Sequence, residues 1–441
     1  MFPKKEIQRL AKQIVVSMRI GRKYNKKGIE KAKRKYKWIE RFVKKYSGKT
    51  INPKNIKDFN LTDEAIKELS HPKYGPILGK RKGKKFLVRN TIGESIRILY
   101  HPDNWELTKA VIIEIIKAGA HPSWMPMTNL LDKELLKYAT RESLEELPEI
   151  SVAMANALDV RIAVENDEDP EWKKSIPTWK FQASRDVWQY IHQLLDKKKQ
   201  RWLVLGWPFP SVAKYYGKTP EWYSRMIFNA LKESFSKKTA KIAEYYAKVL
   251  KSADKVRIVD DRGTDLILSV KGRRILKDIG YITDEMIKLG DLGLNIPSGE
   301  VFCAPIETST EGKIFFDKIF IPGYGFVESL WLTFEKGKVV DFKAKKGQER
   351  FAKFLEENTE STKVTAEFGI GCNRKAVFSG YILTDEKIFG TIHIAIGNNT
   401  GAYHGKNKAS AHLDMIKDMR KANAKMYIDG KLVMDKGLPV W

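Results

Sequence analysis

Along the first 45 residues the apolar positions recur at helical spacing. Ile7, Leu10, Ile14, Val15 and Met18 form one stripe, and Trp38, Ile39 and Phe42 begin a second. A third short helix containing Ile66 and Leu69 is predicted behind a cap at Asn60 or Thr62, with Pro72 and Gly75 ending it. From about Phe86 the pattern changes. The runs Ile96 to Tyr100, Val160 to Val164 and Trp202 to Leu205 read as strands. Between them lie helical segments from Trp105 to Ala118, with Asn104 as the expected cap and Gly119 and Pro122 as the stop, and from Ser184 to about Lys199. Strands alternating with helices predict a parallel sheet with crossover helices, an α/β domain over residues 76–235.

A helix from about Lys237 to Lys251 leads into a β-rich region. Arg257 to Val259, Leu266 to Val270, Ile314 to Phe316 and Lys338 to Val340 are short strands between glycine-containing turns. Met426 to Ile428 and Leu432 to Met434 flank Asp429-Gly430, a hairpin sequence. Residues 236–441 are therefore expected to form an α+β domain, and residues 1–75 a helical extension ahead of both domains.

Composition adds constraints. A hydrophobic fraction of 42% with 31% charged residues describes a globular chain with ample core. No apolar run approaches the roughly 20 residues that a membrane span needs, and no secretory leader is expected. Two cysteines, Cys303 and Cys372, make a disulfide framework improbable and suit a reducing cytoplasm. The net charge of +27 is concentrated: the first 50 residues hold 18 Lys and Arg against 3 Asp and Glu, or +15, leaving +12 for the other 391. The Lys31 to Trp38 cluster has the charge and aromatics that nucleic acid or an acidic surface attracts. A solvated lysine-rich helix accounts for the same composition, since no base-reading motif accompanies it.

The candidate chemistry lies in the last third. His412 and Asp414 are two apart, which on a strand puts both on one face. His393 heads the apolar run Ile394 to Ile396. Glu367 interrupts the small, apolar segment Val364 to Gly371, where a carboxylate is costly to bury unless it is paired or binds a metal. Glu300 opens the strand Val301-Phe302. Each has an ordinary explanation when taken alone, such as a solvated turn or a hydrogen-bonded core pair. No Gly-x-Ser-x-Gly elbow is present, and the two cysteines sit in apolar surroundings that mark inert thiols.

Together these segments resemble the aminopeptidase T family of thermophilic metalloaminopeptidases. The likeness rests on Pro297 to Pro305 (PSGEVFCAP), Ala366 to Asn373 (AEFGIGCN), Asp385 to His393 (DEKIFGTIH) and His412-Leu413-Asp414, in that order. The resemblance implies a pair of divalent ions, zinc, cobalt or manganese, held by Glu300, Glu367, His393, His412 and Asp414. Glu367 is then the bridge and general base, and Glu386 a further ligand or a support to one. It also implies peptide substrates cleaved at the N-terminus and a homodimer. In one place the chain departs from the family, which carries a tyrosine seven residues after the equivalent of His393; here that position is Thr400. Tyr403 or His404, in a shorter loop, is left to stabilise the oxyanion. The alternative function is binding of nucleic acid or an acidic partner through residues 1–75, with a vestigial metal site.

Overall fold

A computed structural model describes residues 2–21, 93–164, 168–169 and 171–441, together with the helical residues 29–30, 33–34, 37–38, 41 and 44–45 and two short strands before residue 88. The predicted third helix near Ile66, and Ile39 and Phe42 of the second stripe, lie outside the described residues. From the N-terminus come α1 (Lys4–Ser17), β1 (Leu78–Arg81), β2 (Lys84–Leu87), β3 (Ser95–Tyr100), α2 (Trp105–Lys117), β4 (His121–Pro126) and β5 (Val160–Val164). Then follow α3 (Arg185–Lys198), β6 (Arg201–Leu205), α4 (Pro220–Glu233), α5 (Lys237–Leu250), β7 (Lys255–Val259), β8 (Asp265–Ser269), β9 (Leu276–Asp278) and β10 (Gly293–Ile296). The remainder is β11 (Glu300–Cys303), β12 (Glu311–Ile321), β13 (Gly325–Glu335), β14 (Lys338–Lys346), α6 (Gln348–Glu356), β15 (Thr365–Gly371), β16 (Thr391–Gly397), β17 (His412–Asp418), β18 (Lys425–Ile428), β19 (Lys431–Asp435) and β20 (Leu438–Pro439).

The α/β part is a five-stranded parallel sheet in the order β10-β6-β5-β3-β4. Its central strands bury Ile96, Ile98, Val160, Ile162, Leu203 and Leu205, alternate residues on one face, while Arg97, Arg161 and Trp202 on the other face are partly buried. β4 carries Pro122 and Pro126 and lies at the sheet edge, where a missing N–H costs no ladder bond. Two features cut across the expected boundaries. β10 lies beyond residue 236 yet pairs with β6, Gly293 opposite Trp202 and Ile296 opposite Leu205. The helix α1, from the basic N-terminal stretch, is core: Ile7, Leu10, Ala11, Ile14 and Val15 are buried in one cluster with Val111 and Ile115 of α2. Arg201 ties its end down, donating to the carbonyls of Met18 and Arg19. The stripe expected to form a helix of a separate extension therefore packs into the α/β core instead.

The cap of α2 also differs from expectation. Asn104 makes no cap bond; its Oδ1 accepts from Thr108 Oγ1 at 3.1 Å. A short 3₁₀ turn, Pro102–Asn104, precedes the helix and is capped by His101, whose Nδ1 accepts from the Asp103 N–H.

Besides the antiparallel pair β1–β2, two larger antiparallel sheets make up the rest. Eight strands run in the order β14-β13-β12-β8-β7-β18-β19-β20, and five in the order β17-β16-β15-β11-β9. The predicted hairpin forms between β18 and β19, with positive φ at both Asp429 and Gly430 as its tight turn requires. A single core joins the sheets: Leu266, Leu268, Phe316 and Leu332 from the larger meet Val301, Phe368, Ile370 and Ile394 from the smaller. Among the described residues no helix is long and apolar enough to cross a membrane.

Candidate metal centre

Five of the six expected ligands come from neighbouring strands of the smaller sheet. Glu300 opens β11, Glu367 lies on β15, His393 on β16, and His412 and Asp414 on β17. Residues directly opposite on paired strands share a face. Glu367 is opposite Ala395, and Ala395 is opposite Asp414; Gly397 is opposite His412. Gly369 stands opposite both His393 and Phe302, and Gly371 opposite Glu300. One face therefore carries all five expected ligands, while Phe368, Ile370, Ile394 and Ile396 alternate into the core behind it.

The glycines make this convergence possible. A Cβ at Gly369 would stand 2.0 Å from His393 Nε2, because the imidazole lies across that residue. A Cβ at Gly371 would stand 2.1 Å from the Ile388 carbonyl oxygen. The alternation Glu367-x-Gly369-x-Gly371 thus clears the strand on which the ligands meet. Period-two spacing of small residues beside a buried carboxylate was the sequence signal for it.

Glu367 occupies the middle. Its Oε1 is 3.2 Å from His393 Nε2 and its Oε2 is 3.2 Å from His412 Nε2. Asp414 Oδ1 lies 3.3 Å from His412 Nε2, and Glu300 Oε2 lies 3.8 Å from His393 Nε2. His412 Nδ1 donates to the Asn398 carbonyl at 2.7 Å, which leaves Nε2 as the nitrogen facing the carboxylates. A neutral imidazole presents a lone pair there, and carboxylate oxygens gathered around a lone pair repel it. A proton or a metal ion between them removes the repulsion.

The electrostatics say the same. Burial drives the His393 imidazole down, but Glu367, Glu300 and Asp414 overcome it and raise it to about 9. His412 is held well above its usual range by Asp414 and Glu367, again against burial. Burial opposes ionisation of Glu367, yet the two imidazoles pull its carboxyl well below the ordinary value. Burial wins at Glu300, raised well above normal despite Lys387. The cluster holds more carboxylates than its side chains neutralise, and Glu300 Oε2 is buried with no hydrogen-bond partner. Carboxylate and imidazole donors with no thiolate suit a divalent ion such as zinc, cobalt or manganese. Single donor atoms of Glu367, His412 and Asp414 all lie within 4.8 Å of one another, a set able to hold one ion.

Three expected residues are placed differently from one another. Glu386, on the turn before β16, is partly buried and contacts Lys387. Tyr403 enters the site: its ring stacks on His412 at 5.6 Å, its edge meets Phe302, and its hydroxyl is turned toward the Glu367 carboxylate. Burial and the Glu367 and Asp414 carboxylates push that hydroxyl well above its ordinary range, so it remains a neutral donor. His404 is exposed, with positive φ, and its Nε2 accepts from Arg274 Nη1 at 3.0 Å. Thr400 turns its hydroxyl to Asn398 Oδ1. Glu307 fixes the loop, accepting from Asn399 Nδ2 and from the Lys406 N–H. Both cysteines are free and buried in the core, and burial raises both thiols.

The residue that sequence reasoning passed over is Lys387, treated there only as part of a motif. Its side chain is wholly buried, with Nζ 2.5 Å from Glu300 Oε1 and in contact with Glu386 Oε1.

The profile of the thermophilic metalloprotease family (M29) matches residues 85–438. The chain belongs to this family. Aminopeptidase AmpS of Bacillus subtilis (strain 168) is 27% identical over 139 residues, a match spanning 31% of this chain and about a third (33%) of that relative. Among solved structures, wild-type AmpT from Thermus thermophilus superposes with a TM-score of 0.62 at 20% identity, covering 80% of this chain and 95% of that one. The 2,5-dihydroxypyridine dioxygenase of Pseudomonas putida KT2440 gives 0.54 at 17% identity, covering 79% and 92%. At such identities the structural likeness shows the shared M29-type fold alone. The assignment of chemistry rests on the family match and on the side chains of the centre.

Proposed function

We propose that the protein is a metal-dependent aminopeptidase that removes residues from the N-termini of peptides, with two divalent ions at the Glu367 centre. The observation that supports it most is the position of Glu367, one oxygen toward His393 and the other toward His412. Glu300 with His393, and Asp414 with His412, flank it as two ligand sets sharing one carboxylate. Bound divalent ions lower the pKa of water and polarise a carbonyl. Glu367 takes the proton released by the attacking water and returns it to the leaving amine. Tyr403, held neutral beside it, donates to the oxygen of the tetrahedral adduct; His404, paired with Arg274 on the exposed side of the loop, does not.

The test is hydrolysis of amino-acid p-nitroanilides and short peptides by metal-free protein, then with Zn²⁺, Co²⁺ or Mn²⁺, beside Glu367→Ala. Metal-dependent release of N-terminal residues is expected, reduced by about 10²–10⁴-fold or more in the variant, the scale of a lost general base. No turnover with any metal, or full turnover by Glu367→Ala, would sink the reading.

A further inference from the structure

The two ligand sets around Glu367 are not equivalent. Among the described residues, no lysine or arginine forms an ion pair with Glu367 or Asp414; their ionic partners are imidazoles. Glu300 and Glu386, on the other side, both pair with Lys387. Asp278, buried and opposite Glu300 across β9 and β11, adds a third carboxylate near that ammonium.

Lys387 is held in place along its whole length. Its N–H donates to the Thr384 carbonyl at 3.1 Å, and its own carbonyl accepts from the Asn373 N–H at 2.7 Å. The Asn373 side chain in turn donates to the Ser298 and Ala230 carbonyls, which locks the turn against the segment leading into Glu300. A surface lysine would swing into water when a cation arrives, but this one has no exposed surface to swing toward. Glu300 therefore has one oxygen committed to the ammonium and only Oε2 free.

We propose that Lys387 is a resident counter-cation that makes the metal centre unequal, with a tight position at Glu367, His412 and Asp414 and a weaker one at Glu300, Glu386 and His393. The proposal rests on the metal-dependent reading above. Its physical basis is that the second position has already spent part of its negative charge on a fixed neighbour, and a dication arriving there meets an ammonium in near contact. Repulsion between near-contact charges in a partly screened site separates the two affinities by on the order of 100-fold.

Metal-free protein titrated with Mn²⁺ and followed by electron paramagnetic resonance, and with Zn²⁺ in equilibrium dialysis, reads this without turnover. The first equivalent of Mn²⁺ is expected to bind as an isolated ion. The second should follow about 100-fold more weakly, with loss of signal as the ions couple. Lys387→Met, close in shape and uncharged, should bring the second affinity within roughly tenfold of the first. Two equivalents bound with equal affinity by the unmodified protein would overturn the proposal, as would an unchanged ratio in the folded variant. Should Lys387→Met fail to fold because Glu300 and Glu386 lose their counter-charge, the stepwise affinities of the unmodified protein still decide it. Binding of no ion would defeat the metal-centre reading itself; two equal ions would leave that reading standing and remove only the role of Lys387.

Discussion

The parallel sheet fully buries one face of its central strands and the antiparallel five-stranded sheet buries both, and the two bury different things. In the parallel sheet β3, β5 and β6 contribute isoleucine, valine and leucine to a core that α1 and α2 complete. In the antiparallel sheet every residue of β15 and β16 is buried, yet one face is Glu367, Gly369, Gly371 and His393. Burying carboxylates and imidazoles costs free energy that apolar residues in the same places would return. The first sheet is built for stability and the second gives some of it up to hold charge where a cation can meet it. Substitutions in the two should therefore fail in different ways.

The largest effect is expected in the first. Ile14, fully buried in α1, belongs to the core cluster of the parallel sheet. Ile14→Ala should lower unfolding free energy by about 2–5 kcal/mol, read as a lower urea midpoint. Metal affinity below the transition should not change. A loss of metal affinity in the folded variant would break the comparison, because it would mean the two sheets are not separable.

Residue patterns showed the elements better than their neighbours. β5 was legible because its β-branched residues Val160, Ile162 and Val164 alternate toward the core, with only Arg161 breaking the apolar run. The His412-Leu413-Asp414 spacing fixed which face those ligands share once they were on a strand. Joining was not legible: Gly293–Ile296 lies after residue 236 and is not among the expected strands, and nothing local says that it crosses back to β6. The stripe of α1 was legible, but not that it packs into the core of the parallel sheet: the basic residues around it suggested an extension outside both domains. Lys387 was hidden because a lysine between charged and apolar neighbours resembles a surface position until the fold closes over it.

Tyr403 sharpens the second sheet's side of the comparison. It touches His412 and Glu367 but adds little to either core. Tyr403→Phe should keep the urea midpoint and lower kcat by about 100-fold, the scale of a lost oxyanion donor. His404→Ala, a neighbour on the exposed side of the loop, should change kcat less than about twofold, since a surface change of this kind removes no contact to the centre. Equal losses in both would reassign the donor.

The smallest expected effect tests the boundary between stability and function within one strand. Gly369→Ala adds one methyl group, which meets the His393 ring rather than the backbone. With the methyl carbon only 2.0 Å from Nε2, the fully buried ring must shift by about an ångström or more, away from Glu367 Oε1. Tilting a ligand weakens metal binding by about 10-fold, as loss of an orienting partner does, while the ladder between β15 and β16 stays intact. Gly371→Ala, whose methyl group meets the Ile388 carbonyl, has no side chain to displace and must part the backbone instead. It should lower the urea midpoint more than Gly369→Ala does. Equilibrium dialysis and urea titration on both variants separate the two costs; if Gly369→Ala lost stability and kept its metal affinity, the glycine would serve the packing of the sheet and not the aim of His393.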